Sequence, residues 1–174
     1  GIEKIALVNE PTAALFHYAF SRPVHGTVVV YDFGGGTLDV TVARVKGPDV
    51  EILTSRGDPR LGGIDFDARL EALIRAAYTA AAGEEFQPGT HQFGTPVEEL
   101  KRALTAREDA TVSIAGGAGG IRQMRVTRAE FEEACSTLLA KSTLLVESVL
   151  AEAGLVPADI ADVFLVGGST RMPM

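Results

Sequence analysis

Residues 27–41, TVVVYDFGGGTLDVT, constrain this chain more than any other stretch. A mainly β-branched run enters an aspartate, turns through three consecutive glycines, and leaves past a threonine and a second aspartate. Nearly continuous apolar runs of this kind suit strands covered on both faces. A carboxylate beside such a core is costly unless it meets a cation, a donor or water. Glycines at 34, 35 and 36 let the backbone approach a ligand closely and aim several N–H groups at one place, which suits phosphate oxygens. Thr37 adds a hydroxyl. Asp32 and Asp39 repel phosphate, but they could hold the water shell of a bound magnesium, an ion that takes few protein carboxylates. The competing reading is a tight hairpin whose Gly and Asp residues are ordinary turn chemistry. Aspartate before, threonine after and a second aspartate two further on, in two buried strands, favour the phosphate reading.

The rest of the chain alternates strands and helices. Residues 3–8 read as a strand, and Pro11 opens an apolar helix to about Phe20. Strands follow at 27–33, 38–45 and 50–55. From Asp65 the period becomes helical, with Phe66, Leu70, Leu73, Ala77 and Ala81 recurring to Gly83. Residues 84–95 read as a loop. Thr95, Pro96 and Glu98 form a capping-box pattern at the head of TPVEELKRAL, and Thr127 with Glu130 forms another before a long amphipathic helix ending near Gly154. Between them, 111–114 and 121–126 suggest a hairpin. A final strand at 162–166 runs into Gly167-Gly168-Ser-Thr-Arg-Met-Pro. This alternation indicates an α/β fold in which 63–133 is inserted between two halves of a sheet subdomain. A strand, glycine turn and proline should launch a helix, so the stop at Met174 is expected to cut a longer chain.

Composition excludes some functions. The 174 residues carry a net charge of −7 with 16 scattered basic residues, the opposite of a nucleic-acid surface. No run approaches the roughly 18–20 uninterrupted apolar residues of a membrane helix. Cys135 is alone and reads as a core residue, His17, His25 and His91 lack ligand spacing, and no secretory signal is evident. A cytoplasmic setting is expected.

Four motifs in order carry a resemblance over nearly the whole chain. DFGGGTLDV is similar to the second phosphate motif of the 70-kDa heat-shock chaperone family, within the actin, hexokinase and heat-shock ATPase superfamily. VNEPTAAL at 8–15 resembles the segment joining the two lobes of that family's ATPase domain. LGGIDFDARL at 61–70 resembles its LGGEDFDNR-type stretch, and LVGGSTRMP at 165–173 its adenosine motif. The resemblance implies an actin-like (ribonuclease H-like) ATPase fold, with a lobe II sheet subdomain at 1–62 and 134–174 and a smaller α+β subdomain at 63–133 closing over adenosine. It implies ATP or ADP with Mg2+ as cofactors. Gly34, Gly35, Gly36 and Thr37 would face the β- and γ-phosphates. Asp32 would hold magnesium through water and position the attacking water, and Glu10 would sense nucleotide and metal. Without the resemblance, capping of the helix begun by Pro11 explains Glu10 equally well, at about 0.3–1 kcal/mol.

By the same resemblance Gly167 and Gly168 let the backbone pass close to the nucleotide, Ser169 hydrogen-bonds it, and Arg171 lies flat on the adenine. EELKRALT resembles the family's E-x-x-K-R-x-L-S stretch, which would bring Glu98 and Lys101 to the ribose hydroxyls, Arg102 onto the base and Thr105 near its edge. These four share one helix face by spacing. Departures are Ile64 where the family has glutamate, Pro59-Arg60 in place of Thr-His, and an altered stretch at 83–95. The family's first phosphate motif and its catalytic lysine have no match, since Lys4, Lys46, Lys101 and Lys141 lie in other contexts. Phosphoryl transfer needs charge stabilisation from both sides of the phosphates, so half a clamp should be inactive alone. Expected partners are the missing lobe I and substrate-binding domain of the same protein, a nucleotide exchange factor and a J-domain co-chaperone. The alternative is a non-catalytic interaction module derived from the same lobe.

Overall fold

The computed structural model describes residues 10–19, 24–117 and 120–174, and the strand expected at 3–8 lies outside them. In chain order the elements are α1 (Glu10–Ala19), β1 (Gly26–Phe33), β2 (Leu38–Lys46), β3 (Asp49–Asp58), α2 (Gly63–Ala82), β4 (Gln92–Phe93), α3 (Val97–Ala106), β5 (Asp109–Ala115), β6 (Ile121–Thr127), α4 (Arg128–Glu152) and β7 (Asp162–Val166). Short 3-10 turns occupy Pro157–Asp159 and Gly168–Arg171. The class is α/β, as the alternation indicates. Two compact units divide the described residues: one holds the chain up to Gly62 with Lys141–Thr170, the other Gly63–Ala140 with Arg171–Met174.

The first unit is built on a four-stranded sheet in the order β3-β2-β1-β7. β1 pairs antiparallel with β2 and parallel with β7, so a non-local strand lies beside the glycine-triplet strand. Alternation puts Val28, Val30, Ala43, Val45 and Phe164 on one face, where Leu15 of α1 and Val24 complete a buried cluster. Val29, Phe33, Leu38, Val40 and Val42 are buried on the other. Each such side chain contributes roughly 1.5–3 kcal/mol relative to exposure. Tyr18 of α1 rests on Phe164, ring centroids 4.6 Å apart, and donates from its hydroxyl to the Leu165 carbonyl at 3.0 Å. Two-sided cover fails at β3. That strand is largely exposed at the sheet edge, with a bulge at Val42/Ala43 on its partner and charged pairs Arg44–Glu51 and Arg56–Glu152 along it. Bulges and charges are the usual protection of an edge.

The second unit packs helices on a small sheet in the order β4-β5-β6. Phe66 and Leu70 of α2 are buried as expected, but the buried stripe continues through Ile74 and Tyr78, one residue on from the expected Leu73 and Ala77, which are half-buried, while Ala81 is exposed. The stretch expected as a loop at 84–95 contains β4, which pairs with β5 through Gln92↔Ala115 and Phe93↔Ile114. A cluster of Tyr78, Phe86, His91 and Phe93 rings anchors it, and the Tyr78 hydroxyl donates to Glu84 at 2.8 Å. A two-residue strand has no period to read, and the ring contacts that anchor it, 5 to 13 residues apart, follow no strand or helix spacing.

The two capping boxes fare differently. At α3 the expected box is absent: the helix begins at Val97, Pro96 is the N-cap in extended conformation, and no side chain caps it. Thr95 stands one residue too early, and Glu98 turns to Arg102 instead. At α4 the box is complete. Thr127 N donates to Glu130 Oε2 at 2.8 Å, and Glu130 N donates to Thr127 Oγ1 at 3.2 Å. Arg128, next in the chain, donates to the carbonyls of Leu104 and Thr105 at 2.8 and 3.3 Å. Those are the acceptors a helix C-terminus otherwise leaves unmatched. Among the described residues α4 alone has the length and mean hydropathy to cross a bilayer, yet Phe131, Cys135, Leu138, Val149 and Leu150 are buried in protein.

The Thr127 backbone N–H, then its hydroxyl, holds the Glu130 carboxyl below the ordinary carboxylate value. A depressed folded pKa contributes stability above the unfolded value and loses it as pH falls through the folded one. Glu130→Gln should therefore differ most from the parent at neutral pH and converge with it in acid, read as denaturant midpoints. Thr127→Ala should lose about 1 kcal/mol at pH 7. Burial pushes the Cys135 thiol up to about 12, so at pH 8 a thiol reagent should label it only as fast as the protein opens.

Candidate functional site

The parallel register of β1 and β7 places Asp32 opposite Val166, so the carboxyl ends of both strands lie side by side and both run into glycine turns. Ligand sites of α/β sheets gather at such ends. The first turn is closed by Gly34 N donating to the Thr37 carbonyl at 3.0 Å, a two-residue hairpin loop. In shape, then, the hairpin reading holds. It does not explain the glycines. Neither Gly35 nor Gly36 has a positive φ, and a Cβ on either would meet nothing within 4 Å. Backbone strain and packing both permit a side chain there. What glycine adds is bare backbone beside open space.

The neighbouring glycines are required by close approach. A Cβ on Gly62 would stand 2.4 Å from the Gly36 carbonyl carbon and 2.5 Å from the Gly35 oxygen. At Gly167, φ is +89° and a Cβ would lie 2.2 Å from the Phe33 oxygen and 3.0 Å from Asp32 Oδ1. Gly57 likewise leaves space for Asp39, whose Oδ1 would be 2.2 Å from its Cβ. Ser169 is buried and donates from Oγ to the Gly34 carbonyl at 2.8 Å, tying the second turn to the first. Its hydroxyl proton is therefore committed to the triplet turn, and only lone pairs remain for a ligand. Gly168 opens onto free space.

Asp32 and Asp39 are register partners on one face of the sheet. Like charges directly opposite are destabilising. Thr37 Oγ1 relieves part of this by donating to Asp39 Oδ2 at 3.1 Å. No cluster of three or more His, Cys, Asp or Glu exists among the described residues. Two carboxylates in register beside bare backbone, with no third ligand among the described residues, fit an ion that keeps most of its waters, as magnesium does, better than one caged by protein ligands. Glu10 opens α1, and its side chain lies outside the described residues.

In the second unit, α3 buries Leu100 and Leu104 and presents Glu98, Lys101, Arg102 and Thr105 on the other side. Arg102 Nη2 and Glu98 Oε1 pair at 2.7 Å, both exposed. Thr105 Oγ1 donates back to the Lys101 carbonyl at 3.2 Å. Lys101 is held differently: its ammonium donates to the Gly63 carbonyl at 2.9 Å and stands 2.9 Å from Asp67 Oδ1. Arg171 ends the last 3-10 turn, exposed. Sequence reasoning gave no role to Asp67, Gly57 or Gly62. The LGGIDFDARL stretch contains the last of these and Asp67, but their partners stand 26 and 34 residues away in the chain, where no local pattern reaches.

Comparison with known proteins gives one consistent result. The model of the family described as Hsp70 protein matches residues 1–174. The chain is 38% identical over 181 residues to Heat shock 70 kDa protein 6, chloroplastic, of Arabidopsis thaliana, covering 99% of this chain and 25% of that protein. It is 36% identical to Chaperone protein HscA of Pectobacterium carotovorum subsp. carotovorum, covering all of this chain and 27% of the relative. A Chaperone protein HscA homolog of Azoarcus sp. is 37% identical, at 99% and 28% coverage. The chain thus spans little more than a quarter of the length of these relatives.

The glycine geometry separates packing from ligand space. Gly62→Ala should lower stability by about 1–3 kcal/mol, because the added methyl meets backbone that cannot swing away. Gly35→Ala should leave the unfolding midpoint within experimental error. Urea titration of both variants checks the pair.

Proposed function

Because the chain belongs to the Hsp70 protein family and has that family's actin-like ATPase fold, we propose that it is the lobe II portion of the ATP-binding, ATP-hydrolysing domain of a molecular chaperone. On this reading 1–62 and 134–174 form the sheet subdomain and 63–133 the inserted one. Gly34, Gly35, Gly36 and Thr37 hold the β- and γ-phosphates through backbone N–H groups and a hydroxyl. Asp32, with Glu10, holds Mg2+ through water. Held by those two carboxylates, the ion would supply positive charge against the charge that develops during transfer. Glu98, Lys101, Arg102 and Thr105 take the ribose and base, with Gly167, Gly168, Ser169 and Arg171 completing the adenosine contacts.

The observation that carries this reading is the bare, open backbone at Gly35 and Gly36, set between two carboxylates in register across the sheet. Nothing in the fold requires glycine at those two positions, whereas a phosphate does. The chain supplies one side of the phosphates, so we infer that it is inactive alone and acts with lobe I and a substrate-binding domain of the same protein. Exchange factor and J-domain partners and a cytoplasmic setting belong to the same reading. One observation favours the alternative, a non-catalytic interaction module. Ile64 is 68% exposed on the first turn of α2, an apolar side chain offered to solvent.

Calorimetric titration of Mg-ADP separates the two. The nucleotide reading expects measurable binding that Arg102→Ala and Arg171→Ala each weaken about tenfold, the scale of a lost cation–π or stacking contact. Gly35→Ala should weaken it while the protein stays folded. No binding by a folded protein in its full reading frame would leave the interaction module.

A further inference from the structure

We propose that His91 is an acid-sensitive clasp in the second unit, holding the 84–93 segment against α2 and the β5–β6 hairpin while its ring is neutral and releasing it on protonation. Within that segment His91 binds Gln87 twice. Its backbone N donates to the Gln87 carbonyl at 2.9 Å, and its ring Nδ1 accepts from the Gln87 backbone N–H at 2.9 Å. A ring nitrogen that accepts carries no proton, so the neutral ring has its one N–H at Nε2. Nε2 is buried, has no hydrogen-bond partner among the described residues, and lies 3.5 Å from Glu84 Oε1. That oxygen already accepts from the Tyr78 hydroxyl at 2.8 Å. The His91 side chain is 3% exposed, with the Tyr78 and Phe86 ring centroids at 4.9 and 5.3 Å. The hairpin meets the pair with bare backbone. A Cβ on Gly117 would stand 2.3 Å from Glu84 Oε1 and 2.6 Å from His91 Nε2, and one on Gly116 would stand 2.0 Å from the Thr90 oxygen. β4 starts at the next residue, so whatever moves His91 moves the strand.

A histidine and a glutamate at this distance invite a metal reading, and the tautomer opposes it. A ligating imidazole nitrogen is bare while the other one donates. Here Nδ1 accepts, which leaves the proton on Nε2. The geometry answers to a proton instead. A second proton can enter the ring only at Nδ1, where it meets the Gln87 N–H head on, two donors 2.9 Å apart with no acceptor between them. Buried donors left unsatisfied are costly. The attraction of Glu84 for an imidazolium works the other way. That carboxylate is shared with the Tyr78 phenol, and Arg122 of β6 stands close by, its Nη1 donating to the Ala81 carbonyl at 3.4 Å. Arg75 of α2 lies over the Phe86 ring with its charge paired to Glu71. The field at His91 is thus a partly used carboxylate against one arginine, and the opposed donors decide the sign. The closed segment admits the neutral ring, whereas the open segment takes up a proton in the ordinary histidine range, about pH 6.5. One proton bound on opening favours the open form by about tenfold for each pH unit below that range.

Amide hydrogen exchange in the full-length protein, corrected for intrinsic rates, tests the clasp between about pH 7.5 and about pH 5. Protection of the 84–93 amides should fall by about tenfold per pH unit below about pH 6.5, while β1 and β2 show no such step. His91→Asn puts an acceptor that does not titrate where Nδ1 stands, so its segment should lose the pH dependence. Glu84→Gln should keep it, because the proton acts on His91. A parent segment whose protection is flat or rises in acid would overturn the proposal. So would a step that survives in His91→Asn or vanishes in Glu84→Gln. A measurement on the parent alone covers variants that fail to fold. At about pH 7.5, nitrogen-15 shifts of the His91 ring should show Nδ1 bare and the proton on Nε2. The opposite tautomer would sink the idea by itself.

Discussion

The parallel pairing of β1 with β7 is the constraint on which the candidate phosphate site depends. It joins residues more than 130 positions apart and sets Asp32 beside Val166. Every close approach at the strand ends follows from that register. Gly167 lies against the Phe33 carbonyl, Ser169 reaches Gly34, and no side chain larger than hydrogen fits at Gly167. A one-residue slip would send Phe164 out of the cluster it forms with Val28, Val30 and Leu15, because successive side chains in a strand point to opposite faces. Hydrophobic burial thus fixes the register, and the register delivers the two glycine turns to one place.

Once the turns are fixed, electrostatics decides what they can hold. Asp32 and Asp39 face each other across β1 and β2, an arrangement that disfavours the fold unless something positive or donating stands near. Thr37 supplies one hydroxyl to Asp39. The residual negative charge cannot attract phosphate directly, so the carboxylates and the backbone N–H groups suit opposite partners, cation and anion, at neighbouring points. A nucleotide with its metal is a ligand that carries both.

The glycine triplet, the α/β alternation and the helical period of α2 were all legible because they are local: a turn, a spacing of two and a spacing of four. The α4 capping box was legible for the same reason, with partners three residues apart. The same pattern at α3 misled, since the proline that makes Thr95 and Glu98 look like a box sits at the N-cap itself and moves the helix start one residue on. Short β4 escaped because two residues have no period. Asp67 escaped for a deeper reason. Its meaning lies in Lys101, 34 positions later, and an aspartate in the first turns of a helix already has an ordinary explanation in the helix dipole.

What the candidate residues Ser169, Thr105 and Lys101 have in common is that their polar atoms are already partnered by the fold. Ser169 is committed to Gly34, Thr105 to Lys101, and Lys101 to Gly63 and Asp67. Such groups reorganise little when a ligand arrives, so they lose little entropy on binding, and preorganisation of this kind raises affinity without adding contacts. The α3 helix shows how this is built. Leu100 and Leu104 bury its apolar side, α2 holds Lys101 near the middle, and Arg128 supplies donors to the carbonyls at its C-terminus. Arg102 and Glu98, exposed and paired only with each other, are the part of that face still able to move. A planar guanidinium that gives up one exposed ion pair, worth at most about 1 kcal/mol, is well suited to settle on an aromatic ring.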